Sequence, residues 1–96
     1  MTAKVIALVT INEDQAWALA KYLELTEPVL ARVGAKIVER YQVDERVVGD
    51  NPAKTIIIVD YPSKEAIDEV FDSVEYKRAA PFRDAAFSTY SVHIVE

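Results

Sequence analysis

Residues 54–61, Lys-Thr-Ile-Ile-Ile-Val-Asp-Tyr, carry four β-branched apolar side chains in succession: Ile56, Ile57, Ile58 and Val59. Successive side chains on a strand point to opposite faces. An alternating strand therefore buries one face, and an unbroken run like this one buries both. A second run of the same kind, Val5-Ile6-Ala7-Leu8-Val9, reads as another central strand. Both runs demand apolar cover on two sides of one sheet, and the chain has 96 residues with which to supply it. A domain of that size buries only about 60–65% of its unfolded surface. A second copy of the chain would help to cover the rest.

The remaining elements follow in order. Lys4 to Ile11 is the first strand. Asn12 reads as an N-cap, with Gln15 completing a capping box and Glu13 and Asp14 in the acidic first turn. Ala16, Leu19, Ala20, Leu23, Leu30 and Val33 then recur at helical spacing. Pro28 lacks an N–H and its ring crowds the carbonyl four residues back. It predicts a kink or restart, with Thr26 capping the second piece. Gly34 is placed to end the helix.

Residues 35–43 form a strand of mixed polarity, with Ile37, Glu39 and Tyr41 on one face and Val38, Arg40 and Gln42 on the other. That mixture suits a sheet edge. The turn-rich Gly49-Asp50-Asn51-Pro52 makes this strand and the central one a hairpin. Ser63 caps the next helix, whose buried stripe is Ala66, Ile67, Val70 and Phe71. Asp72-Ser73 marks a break with a new cap, and Pro81 predicts two short helical turns over 73–87 rather than one rod. Thr89 to Val95 alternates cleanly, Tyr90, Val92 and Ile94 against Ser91, His93 and Val95.

The order strand, helix, strand, strand, helix, strand specifies an α+β, ferredoxin-like βαββαβ domain over residues 1–96. Right-handed crossovers place the helices on one face of a four-stranded antiparallel sheet, with the first and third strands central. The opposite face, roughly 400 Å² from strand spacing and length, stays apolar. A twofold partner is the simplest cover for it. The expected assembly is a homodimer with its sheets face to face, a dimeric α/β barrel.

Composition narrows the function. Sixteen acidic and 11 basic side chains give a formal charge of −5, which argues against nucleic acid and against an anionic membrane surface. The absence of cysteine removes disulfides, thiolate metal sites and thiol nucleophiles, and fits a cytoplasmic location. No stretch approaches the ~18 apolar residues of a membrane helix, and the N-terminus lacks the pattern of a signal peptide. With one histidine and no metal-ligand spacing, no metal is expected. No Gly-rich phosphate loop and no nucleophile elbow occur, so no cofactor is expected either.

The candidate site is an apolar floor with a few polar groups around it. If Tyr90, Val92 and Ile94 pack on the helices, Ser91 and His93 face the other side of the sheet, where Arg40 joins them from the edge strand. His93 is either a neutral imidazole held within the sheet or a general base and ligand contact. Arg40 is either a solvated edge charge or an anion clamp. Tyr76 and Arg83, seven residues apart, would share a helix face were the helix unbroken.

Asp60-Tyr61-Pro62-Ser63-Lys64-Glu65-Ala66, Asp72-Ser73-Val74-Glu75-Tyr76, Arg83, Gly34 with Arg40, and Gly49-Asp50-Asn51-Pro52 together resemble a bacterial family known as domain of unknown function 1330. Ala35, Val74 and Pro81 depart from its usual residues. The resemblance covers nearly the whole chain. It implies a ferredoxin-like fold within the dimeric α/β barrel superfamily, which also holds cofactor-free monooxygenases, isomerase-like proteins and ligand-binding regulators.

Three functions fit these readings. The first is a homodimer that binds a small, partly apolar organic ligand between sheet and helices, oriented by His93 and Arg40, with Tyr76 and Arg83 at the rim. The second is a cofactor-free oxygenase or isomerase with His93 as base and Arg40 as oxyanion partner. The third is a dimerisation module without ligand.

Overall fold

The computed structural model describes residues 2–95. Its strands are β1 (Ala3–Ile11), β2 (Lys36–Gln42), β3 (Thr55–Tyr61) and β4 (Phe87–Val95). Its helices are α1 (Ala16–Val33), α2 (Lys64–Phe71) and α3 (Val74–Ala86), with a short 3₁₀ turn, Glu13–Gln15, leading into α1. The strands form one antiparallel sheet in the order β2-β3-β1-β4. The two doubly apolar runs are thus the two central strands, and the fold is the expected ferredoxin-like one.

Register fixes what each face carries. Ile6 pairs with Ile58 and with His93, and Leu8 pairs with Ile56 and with Ser91. These residues make the outer face, away from the helices. Val5, Ala7, Val9, Ile57 and Val59 point the other way, with Tyr90 and Val92 beside them. The helix side holds the core, in which Val5, Val29, Val59, Tyr61, Ala66, Ile67 and Val70 are all buried. Burying a side chain such as Ile67 contributes about 1.5–3 kcal/mol. Ala18 and Ala79, both fully buried, are among the core residues of α1 and α3, which are further tied by the Arg32–Glu75 ion pair at 2.9 Å. The hydrogen bond from Arg32, more than its charge, holds the Glu75 carboxyl below the usual range.

Caps mark most of the boundaries. Ser63 Oγ accepts from Ala66 N and Ser73 Oγ from Tyr76 N, each at 3.1 Å. Gly34 adopts φ 79°, and the N–H groups of Gly34 and Ala35 return to Ala31 O and Leu30 O. This is the left-handed close that glycine makes without a Cβ penalty.

Five local expectations are corrected. Helix α1 runs through Pro28, and α3 runs through Pro81. Both prolines are exposed, and so are Glu24 and Lys77, whose carbonyls they leave without a helical partner, so water can satisfy those carbonyls. Thr26 does not cap; its hydroxyl donates back to Tyr22 O within the helix at 2.9 Å. Asn12 makes no side-chain cap either; its Nδ2 donates to Ala85 O at 2.9 Å and ties the end of β1 to the end of α3. The buried face of α1 is Ala18, Tyr22, Thr26 and Val29, whereas Ala16, Ala20 and Leu23 are exposed. A count of apolar residues passes over a stripe that includes a threonine and a tyrosine with internally satisfied hydroxyls.

A register shift between Ile37 and Glu39 is the last departure. Val38 is the extra residue of a bulge, and beyond it the parity of β2 reverses. Glu39 and Tyr41 pair with Ile58 and Ile56 on the outer face, where the Tyr41 hydroxyl donates to Glu39. Arg40 and Gln42 pair with Ile57 and Thr55, which puts them on the helix face with Ile37.

Candidate functional site

Between the sheet and the helices lies a cavity of about 290 Å³. Val5, Ala7, Val9, Ile57 and Val59 form its floor, and Leu19, Tyr22 and Thr26 of α1 roof it. Ile37 and Arg40 of the edge strand line it and are exposed, so the cavity meets solvent there. Arg40 is the one charged residue of the lining. Among the described residues it has no carboxylate within salt-bridge distance.

Four of the chain's five tyrosines, Tyr22, Tyr61, Tyr76 and Tyr90, line this space. Three of them form a chain. Tyr22 OH lies 2.8 Å from Tyr90 OH, and Tyr90 OH lies 3.0 Å from Tyr76 OH. Arg83 Nη1 donates to Tyr76 OH at 3.3 Å, and its guanidinium carbon sits 5.6 and 5.5 Å from the ring centres of Tyr76 and Tyr90. The rings are packed edge to face, Tyr22 on Phe87 and Phe71 on Tyr76, which fixes the hydroxyls in place.

Burial dominates the electrostatics. It pushes the Tyr61 phenol from the ordinary 10 up to about 12. The same cause raises Tyr22 and Tyr90 well above the usual phenol range. Burial also pulls the Arg83 guanidinium down, but its hydrogen bond to Tyr76 and neighbouring charges outweigh that, and the net direction is upward. Tyr22, Tyr61 and Tyr90 are therefore held as neutral phenols, and the chain of hydroxyls is anchored on a cation. It can donate and accept hydrogen bonds.

The residues singled out in the sequence divide between the two faces of the sheet. Tyr76 and Arg83 meet, because α3 stays helical through Pro81. Arg40 lies on the same face of the sheet, at the mouth of the cavity. His93 is on the outer face, exposed, with Nε2 3.2 Å from Ser91 Oγ. It is also on β4, at the opposite edge of the sheet from Arg40. The Val38 bulge turns Arg40 away from the outer face, so within one chain the two do not converge. Tyr22 and Tyr90 are the residues that reading from sequence missed as site groups. The signal was present in the spacing 18, 22, 26 and 29 of α1, had tyrosine and threonine been admitted to the buried stripe. Among the described residues no cluster of three or more His, Cys, Asp or Glu is arranged to hold a metal, and no helix is long and apolar enough to cross a membrane.

The sequence profile described as domain of unknown function (DUF1330) matches residues 2–96. The chain belongs to this family. Among solved structures, it is similar to a protein of unknown function from Rhodopseudomonas palustris, at 26% identity and a TM-score of 0.81 over 98% of this chain and 80% of that one. A dimeric protein of unknown function with a ferredoxin-like fold, from Bacteroides fragilis, aligns at 11% identity and a TM-score of 0.61, covering 99% and 95%. An antibiotic biosynthesis monooxygenase aligns at 22% identity and a TM-score of 0.65, covering 100% and 97%. The last two likenesses are of fold. No curated protein matches.

Proposed function

We propose that this member of the DUF1330 family is a homodimer that binds a small, largely apolar organic molecule between its sheet and its helices. One observation carries the reading: a cavity of about 290 Å³ with an apolar floor, a tyrosine wall and a single charged residue, Arg40, at its mouth. Binding sites combine an apolar body with a few placed polar groups in this way. Tyr76 belongs to the wall, and Arg83 backs it through the hydrogen bond to the Tyr76 hydroxyl. Arg40 offers the bidentate contact that an anionic substituent would take. His93 would serve the other face, against the partner copy. The dimeric ferredoxin-like protein from Bacteroides fragilis supports that pairing, as does the apolar outer face of Ile6, Leu8, Ile56 and Ile58.

A metabolite thermal-shift screen with the Ala7→Phe variant as control tests the reading. Ala7 lies on the cavity floor, so a phenylalanine there fills the space. Compounds that stabilise the wild type should lose their effect on the variant while its own fold persists. Hits that stabilise both equally would place binding elsewhere.

A second reading, a cofactor-free oxygenase or isomerase, draws on the likeness to a monooxygenase. Oxygen uptake with quinol-type substrates would support it, and full activity in His93→Ala would remove His93 as the base.

A further inference from the structure

The tyrosine chain has a proton count that bears on what the cavity binds. Tyr22, Tyr76 and Tyr90 bring three hydroxyl protons, and the two contacts between them use two. Arg83 adds a donor of its own and can accept nothing. Among the described residues one O–H is therefore left without a partner, and all three tyrosines line the cavity. The charge of Arg83 decides which one it is. A cation at the Tyr76 end orients the hydroxyl dipoles away from itself, so Tyr76 donates to Tyr90 and Tyr90 to Tyr22. The unspent proton is that of Tyr22, and each donation in the chain strengthens the next.

Resting on the ligand-binding reading above, we propose that Tyr22 is the hydrogen-bond donor that fixes an uncharged carbonyl oxygen of an aromatic or alicyclic ketone, ester or quinone in the cavity. Arg83 is the positioning residue behind it. The uncharged class follows from the surroundings. The apolar floor that keeps the neighbouring phenols protonated would penalise a ligand oxyanion at the same depth. A neutral carbonyl needs only the donor that is there. The ring of such a ligand would lie on the floor of Ala7, Val9 and Ile57.

The test compares 2-acetylnaphthalene with 2-ethylnaphthalene, which has the same rings and no acceptor, by calorimetric titration. A net hydrogen bond of ~1 kcal/mol corresponds to a preference of roughly five- to tenfold for the ketone. Tyr22→Phe should abolish that preference while retaining affinity for 2-ethylnaphthalene. A second readout is the infrared carbonyl stretch of the bound ketone. It should fall to lower frequency in the wild type, fall less in Arg83→Gln, and stay unshifted in Tyr22→Phe. Equal binding of the two compounds would overturn the donor assignment and leave the cavity reading standing. So would loss of the preference in Tyr76→Phe with retention in Tyr22→Phe. Failure of both compounds to bind the wild type would overturn the cavity reading and this inference together.

Discussion

Tyr61 and the phenols of the tyrosine chain make the protein's response to alkali specific. Tyr61 ionises at about 12 in the fold against an ordinary 10, and Tyr22 and Tyr90 are raised in the same direction by burial. For an acid whose folded pKa is raised, the unfolded chain sheds its proton first as pH climbs. The stability these residues contribute is thus complete below pH 10 and is lost as pH rises from there towards 12. Tyrosinate absorbance should show Tyr22, Tyr61 and Tyr90 ionising together with loss of the fold. Independent titration of these three, with the fold intact, would contradict the burial. The residue sequence signals the members of this cluster only one at a time. Tyr76 and Arg83 stand out by their spacing, but Tyr22 and Tyr90 lie 68 positions apart and meet only through the packing of α1 on the sheet.

At the scale of elements, what was legible in the sequence is what burial alone decides. The isoleucine run identifies β3 as central, and the alternation of β4 assigns Tyr90 and Val92 to the helices. Ser63 and Ser73 cap where their hydroxyls precede an apolar stripe. The errors come where one element depends on another. A proline ends a helix when its freed carbonyl has no solvent, and sequence does not say which side faces solvent. The Val38 bulge depends on its pairing with β3, so the face of Arg40 could not be read from β2 alone. Pro81 offers a direct test. Proline in a helix interior costs up to ~3 kcal/mol relative to alanine, offset in part by its restriction of the unfolded chain. Pro81→Ala should therefore stabilise the protein by ~1–2 kcal/mol in urea unfolding, with the Tyr76–Arg83 contact retained. Destabilisation would mean that the proline sets the geometry of α3.

The whole molecule divides its sheet between two tasks. The helix side closes over a cavity, and the outer side presents Ile6, Leu8, Ile56 and Ile58, half-buried in a single chain, flanked by the Lys4–Asp60 pair at 2.8 Å. A second copy on that face would remove the central strands from water on both sides, as their composition demands. Sedimentation equilibrium should return twice the mass of one chain, and Ile58→Glu should return the monomer. A wild-type monomer at micromolar concentration would leave the outer face without its partner.

The division of faces is best tested by following amide and methyl resonances during titration with 2-acetylnaphthalene. The account predicts saturable shifts at Leu19, Tyr22, Ile57 and Tyr90, with Ile6, Ile58 and His93 unmoved. Shifts centred on Ile6, Ile58 and His93 would contradict it, because the ligand would then occupy the face assigned to the partner chain.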